Sequence, residues 1–157
     1  MKVIFLDVDG VLNSEESRKD YNHDESWMWN EVAFSHLKLL KEIVDKTGAE
    51  IILSSSWRLY HPLHTGEKRI TDPLMNVLID KMSSLNLSIK DVTPDLCGSW
   101  RGREIEKWLN DHPHVEKYVI LDDDKDFLPE QKPYFINTTF KYGLTEELTK
   151  KAIEILT

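Results

Sequence analysis

Three times along this chain, a short run of β-forming apolar residues stops abruptly on a polar one. Val3-Ile4-Phe5-Leu6 runs into Asp7-Val8-Asp9-Gly10. Ile51-Ile52-Leu53 runs into Ser54-Ser55-Ser56, and Tyr118-Val119-Ile120-Leu121 into Asp122-Asp123-Asp124. A continuous apolar run of this length reads as a strand covered on both faces, as in a parallel sheet. Between the runs, apolar residues recur at helical spacing. Over residues 30–47 they are Val32, Leu37, Leu40, Ile43 and Val44, with Leu39 widening the stripe and Gly48 as the stop. Thr71-Asp72-Pro73 starts a helix that runs to about residue 85. Residues 101–111 carry Ile105, Trp108 and Leu109 on one face, and residues 145–156 close the chain as a helix. Residues 88–92 and 134–136 read as weaker strands, and 14–29 and 59–71 as loops. The order β-α-β-α-β-α-β-β-α predicts an α/β fold: a three-layer, largely parallel, Rossmann-like sheet with helices on both faces.

The length of 157 residues predicts a single domain over 1–157, with no internal repeat and no linker. No apolar run approaches the ~18–20 residues of a membrane span, and the N-terminus does not read as a signal peptide. The lone cysteine, Cys97, allows no internal disulfide, which makes a reducing cytoplasm the expected location. The charge is 20 − 28 = −8. A surface gripping a nucleic-acid backbone widely is normally basic, so no extended nucleic-acid interface is expected. A phosphate bound here is bound locally, by a few cations or a metal.

The polar residues at the strand ends are concentrated. In an open α/β sheet, ligands bind beyond the carboxyl ends of the strands, where Asp7, Asp9, Ser54, Asp122 and Asp123 would converge. Asp7 and Asp9 lie on the same side of an extended segment, and Gly10 permits close approach or positive φ. Two charges ~4 Å apart repel by ~4 kcal/mol at an effective dielectric of ~20. Either some carboxyls hold protons or a cation neutralises them. An all-oxygen site suits Mg²⁺, which often shares its ligand shell with a phosphate.

These segments resemble, in order, the motifs of the haloacid dehalogenase-like (HAD) phosphohydrolases. Phe5-Leu6-Asp7-Val8-Asp9-Gly10-Val11 resembles motif I, Ile51-Ile52-Leu53-Ser54 motif II, and Val119-Ile120-Leu121-Asp122-Asp123 the acidic motif IV. Arg101-Gly102 with Glu104-Ile105 resembles the basic motif III. More narrowly, Ser54-Ser55-Ser56-Trp57-Arg58, Arg101-Gly102-Arg103-Glu104-Ile105 and Gly143-Leu144-Thr145 look like the HAD domains of Swiss Army Knife RNA repair proteins. The resemblance implies a HAD-type phosphatase with Asp7 as nucleophile, Asp9 as acid and base, Ser54 holding a phosphoryl oxygen and Arg101 stabilising charge. It implies Mg²⁺ held by Asp7, Asp9 through its main-chain carbonyl, and Asp123, with Asp122 beside it and Asp126 further out. Gly10, Ser55, Arg58 and Arg103 are the expected substrate contacts, and the expected partner is a phosphorylated small molecule or a nucleic-acid end.

The chain departs from the motif pattern in three places. Arginine stands where lysine is usual, and the two are not equivalent. Arg103 competes with Arg101 for the basic role, the triple acid leaves Asp122, Asp123 and Asp124 open as ligands, and the triple serine Ser54-Ser55-Ser56 leaves motif II open in the same way. The slots after the first and second strands are too short for a folded cap, since ~40 residues is near the lower limit of independent stability. An open site is therefore expected. Trp27, Trp29, Trp57 and Trp100 fall near the site; core filling is the default reading and ring stacking the alternative. His61-x-x-His64 and His112-x-His114 lack the cysteines or paired partners of a zinc site. The competing readings of the whole are a receiver-like domain that holds phosphate on Asp, and a non-catalytic binding module of HAD descent.

Overall fold

A computed structural model describes residues 1–19 and 31–157. Strands β1 (Lys2–Leu6), β2 (Glu50–Leu53), β3 (Ile89–Val92), β4 (Lys117–Asp122) and β5 (Phe135–Asn137) form one sheet in the order β3-β2-β1-β4-β5, with every neighbouring pair parallel. The described helices are α1 (Glu15–Arg18), α2 (Phe34–Thr47), α3 (Pro62–Thr65), α4 (Pro73–Ser84), α5 (Arg101–Asp111) and α6 (Glu146–Leu156).

The strands are apolar at consecutive positions because both faces are covered. Side chains alternate along a strand. Ile4, Leu6, Ile51, Leu53, Val119 and Leu121 join one core with Leu37 and Leu40 of α2, Leu78 of α4 and Leu156 of α6. Val3, Phe5, Ile52 and Ile120 join the other with Ile105 and Trp108 of α5 and Phe127. The chain steps outward from β1 to β2 to β3, then α5 crosses the opposite face and delivers β4 to the other side of β1. That reversal opens a crevice at the carboxyl ends of β1 and β4, the switch point where α/β sheets bind ligands.

Local signals set the helix ends. Gly48, at φ 69°, closes α2, and Asp72 accepts a hydrogen bond from the Met75 N–H (2.9 Å) at the start of α4, with Pro73 in its first turn. Two expected loops contain short helices. Residues 59–71 include α3 and the end of a 3-10 turn, Ser56–Tyr60; within 14–29, α1 forms behind the reciprocal Ser14–Ser17 cap. These are one-turn elements held by caps such as the His61 Nδ1 that accepts from the Leu63 N–H (3.1 Å). They carry too few residues to show an apolar period. The remaining part of the first loop, with Trp27 and Trp29, lies outside the described residues. Among the described residues, α1, α3 and the 3-10 turn are the helical insertions in these two slots, no cap covers the crevice, and no helix is long and apolar enough to cross a membrane.

Ile52 is fully buried between Phe5, Ile105 and Ile120. Ile52→Ala is expected to lower the unfolding free energy by about 2–5 kcal/mol in a urea titration. Leu63→Ala, at a side chain 52% exposed, should change it by no more than about 0.5 kcal/mol.

Candidate active site

Asp7 is the first residue beyond β1, and its backbone N–H donates to the Leu121 carbonyl (3.0 Å). This continues the β1–β4 pairing by one step and sets Asp7 beside Asp122. Both are buried, at 5% and 0% exposure. Asp123 completes the group: Asp7, Asp122 and Asp123 each offer a carboxylate oxygen, all within 4.8 Å of one another. The Arg101 guanidinium faces them, with Nη1 2.5 Å from Asp122 Oδ2 and 3.4 Å from Asp7 Oδ1.

Three carboxyls and one guanidinium do not balance. Burial, reinforced by the Asp122 charge and opposed by Arg101, pushes Asp7 up to about 8. Burial raises Asp122 as well, against the pull of Arg101, and raises the half-buried Asp123. Burial disfavours the Arg101 charge, but the Asp122 and Asp7 carboxylates outweigh it and hold the guanidinium above its ordinary pKa. Asp7 and Asp123 carry oxygens within 4.8 Å of each other, a spacing at which two ionised carboxylates repel unless a proton or a cation lies between them. The donor set, all oxygen and over-supplied with negative charge, fits a hard divalent cation.

The surrounding contacts explain why the group assembles here. Gly10 has φ 77°, and a Cβ on it would lie 2.2 Å from Asp123 Oδ2, so only glycine lets the first loop pass against the acidic one. Thr138, just past β5, donates its hydroxyl to the Gly10 carbonyl (2.7 Å) and its N–H to the Asp122 carbonyl (2.9 Å). Asn137 donates to the carbonyls of Asp122 and Asp123, both at 3.3 Å. Arg101 is aimed from the first turn of α5, whose own N-cap, Trp100, supplies no side-chain cap. Asp126 does so from a distant segment, accepting the Arg101 N–H on Oδ2 (3.2 Å) while its carbonyl accepts the Gly102 N–H (3.1 Å). A Cβ on Gly102 would lie 2.8 Å from the Leu128 nitrogen and 2.9 Å from the Phe127 Cα, so this close approach needs glycine too.

The expected residues separate into those brought together and those diverted. Asp9 is half-buried, and its carboxylate is not one of the three gathered oxygens. Oδ1 accepts from Asn13 Nδ2 (2.9 Å) and Oδ2 from Trp57 Nε1 (3.0 Å), while Asn13 Oδ1 accepts the Gly10 N–H (3.0 Å). Ser54 caps β2 beside β1, its N–H bonded to the Leu6 carbonyl (2.9 Å), and its fully buried hydroxyl has no hydrogen-bond partner among the described residues. Asp124 is exposed, and its Oδ1 accepts from its neighbour, the Lys125 N–H (2.9 Å). That leaves Asp122 and Asp123 as the two acids of the triplet at the site.

Arg58 is a correction. It was expected to reach substrate, yet it is 4% exposed and every guanidinium N–H donor is engaged. Nε donates to the Thr93 carbonyl, Nη1 to the Ser54 and Ser55 carbonyls, and Nη2 to the Pro94 carbonyl and to Glu104 Oε2 (2.8 Å). Five donors meet five acceptors, so Arg58 is an internal brace that locks the turn after β2. Ser55 is also placed structurally, buried and accepting the Trp57 N–H on its hydroxyl (3.2 Å). Arg103 is exposed on α5, away from the ion-pair partners that hold Arg101.

Sequence reasoning missed Asn13, Asn137 and Thr138 as supports. A signal for the last two existed: the rule that placed Asp7 and Asp122 applies equally to the carboxyl end of β5. Asn13, two residues beyond the Asp9-Gly10-Val11 turn, is a short polar side chain of the kind that ties a turn to its own backbone.

In metal-free protein, folded Asp7 keeps its proton up to about pH 8, whereas the unfolded chain releases it near 3.8. The native state therefore binds more protons between these limits, and stability falls as pH rises from about 4 to about 8. Melting temperatures in chelator across that range should show the decline, and Asp7→Asn should flatten it. Separately, Arg58→Met strands the buried Glu104 carboxylate and should cost about 3–5 kcal/mol of stability by urea titration.

Residues 3–149 match the family model described as the HAD domain in Swiss Army Knife RNA repair proteins. Neither a curated protein nor a solved structure gives a significant match. The family match spans the sheet and includes Asp7, Ser54, Arg101, Asp122 and Asp123 at their strand and helix ends. The chain belongs to the family of HAD domains found in Swiss Army Knife RNA repair proteins.

Proposed function

We propose that this chain is a Mg²⁺-dependent phosphomonoesterase working through an aspartyl-phosphate on Asp7. The observation that carries the reading is the convergence of Asp7, Asp122 and Asp123 within 4.8 Å, faced by Arg101. HAD domains supply the reaction class; the residues supply the roles. The Asp7 carboxylate attacks phosphorus, the bond from phosphorus to the leaving oxygen breaks, and that oxygen takes a proton from Asp9. In the second step a water oxygen attacks the same phosphorus, gives its proton to Asp9, and the bond to Asp7 breaks, restoring the enzyme. Arg101, held by Asp122, keeps its guanidinium within reach of Asp7 and stabilises the charge that develops on the phosphoryl oxygens. The Ser54 hydroxyl, buried without a partner among the described residues, is a donor for one of those oxygens. Mg²⁺, held by Asp7, Asp123 and the Asp9 main-chain carbonyl, would offset the repulsion between nucleophile and phosphate.

The substrate is a phosphate on a small molecule or at the end of a larger one, including nucleotides and nucleic-acid ends. Three observations support this. No cap is seen over the crevice among the described residues. The family description names RNA repair proteins. The net charge of −8 argues against wide backbone contact.

A panel of sugar phosphates, nucleotides and 5′- or 3′-phosphorylated oligonucleotides, run with Mg²⁺ and with chelator, tests the reading. Turnover should require Mg²⁺, and Asp7→Asn should lower kcat at least ~1,000-fold. Activity retained in Asp7→Asn refutes the nucleophile, and a stable phospho-form by intact mass without turnover marks a phospho-acceptor instead.

A further inference from the structure

We propose that Trp57 is a positioning residue for Asp9, fixing the carboxylate in the orientation from which it hands its proton to the leaving oxygen. The inference rests on the phosphohydrolase reading above.

Asp9 is half-buried, and a carboxylate without partners samples several rotamers. Its two oxygens are held by different parts of the chain. Asn13 belongs to the same loop and is tied to it through the Gly10 N–H (3.0 Å). Trp57 comes from the turn after β2, and its Nε1 reaches Asp9 Oδ2 at 3.0 Å. That bond relates Asp9 to the rest of the site.

The indole is itself well anchored. Its ring packs on the larger core, its backbone N–H is capped by the Ser55 hydroxyl, and the next residue is Arg58 with its five hydrogen bonds. The same turn starts from Ser54. The proton donor and the hydroxyl assigned to a phosphoryl oxygen are thereby held in one frame. Indole N–H only donates, and each carboxylate oxygen has two lone-pair sites. With one site on Oδ2 taken by Trp57 and one on Oδ1 by Asn13, the transferable proton is confined to those that remain.

The test separates this role from general damage to the fold. Trp57→Phe keeps a large ring on the core and deletes the N–H. For this mechanism kcat/KM reports formation of phospho-Asp7, the step in which an alkyl leaving group needs a proton and a p-nitrophenyl group needs little help. In Trp57→Phe, kcat/KM on glycerol phosphate should fall by about 10–100-fold and on p-nitrophenyl phosphate by no more than about 3-fold. Trp57→His, which restores a ring N–H, should recover part of the alkyl activity, and it serves as the second variant if Trp57→Phe melts at a much lower temperature. Equal losses on both substrates, or no loss on either, overturn the proposal and leave the phosphohydrolase reading standing. If wild type with Mg²⁺ turns over no member of the phosphoester panel, or Asp7→Asn remains active, both fall together.

Discussion

The crowding of three carboxyls around one guanidinium is the constraint on which the rest of this structure turns. Asp7, Asp122 and Asp123 occupy a space that a single Arg101 cannot neutralise, and the fold keeps Asp7 and Asp122 out of water. Burial and mutual repulsion push the carboxyls toward their protonated forms, while Arg101 pulls the other way. A donor set of this kind, all oxygen and short of positive charge, fits a small, hard cation.

The surroundings keep that balance from relaxing. A flexible loop would let the acids swing apart into solvent. Here two glycines remove the side chains that would hold the loops apart, one beneath Asp123 and one at the start of α5. Asn137 and Thr138 tie the acidic loop and the first loop to the end of β5. Asp126 fixes the first turn of α5 and with it the base of the Arg101 side chain. Each support comes from a different stretch of the chain, so the charge cluster is a property of the whole sheet edge.

The turn after β2 has a comparable logic on the other flank. Arg58 and Glu104 form a buried ion pair that joins the turn to α5. Such a pair contributes little net stability by itself, because desolvation offsets attraction, but its geometry is exacting. Its effect is to hold Ser54 and Trp57 in one rigid unit against a helix that also carries Arg101. The described walls of the crevice are therefore stiff.

Much of this was legible without coordinates. An apolar run without alternation means a strand covered on both faces, so parallel β1, β2 and β4 and the helices between them follow from residues such as Val3-Ile4-Phe5-Leu6. The carboxyl-end rule then places Asp7, Ser54 and Asp122 along one edge, and it did so. What the sequence could not decide was direction and register. Arg58 and Arg101 both follow apolar elements at the same edge, yet one meets Glu104 and four backbone carbonyls inside and the other meets Asp122 and Asp7. The Asp122-Asp123-Asp124 triplet shows the same limit. Which acids stand beside Asp7 depends on where the chain turns after β4, and Gly10, Asn137 and Thr138, brought from elsewhere, set that turn. Periodicity is a local property and can be read along the chain, whereas the partner of a charged side chain is fixed only when distant segments pack together.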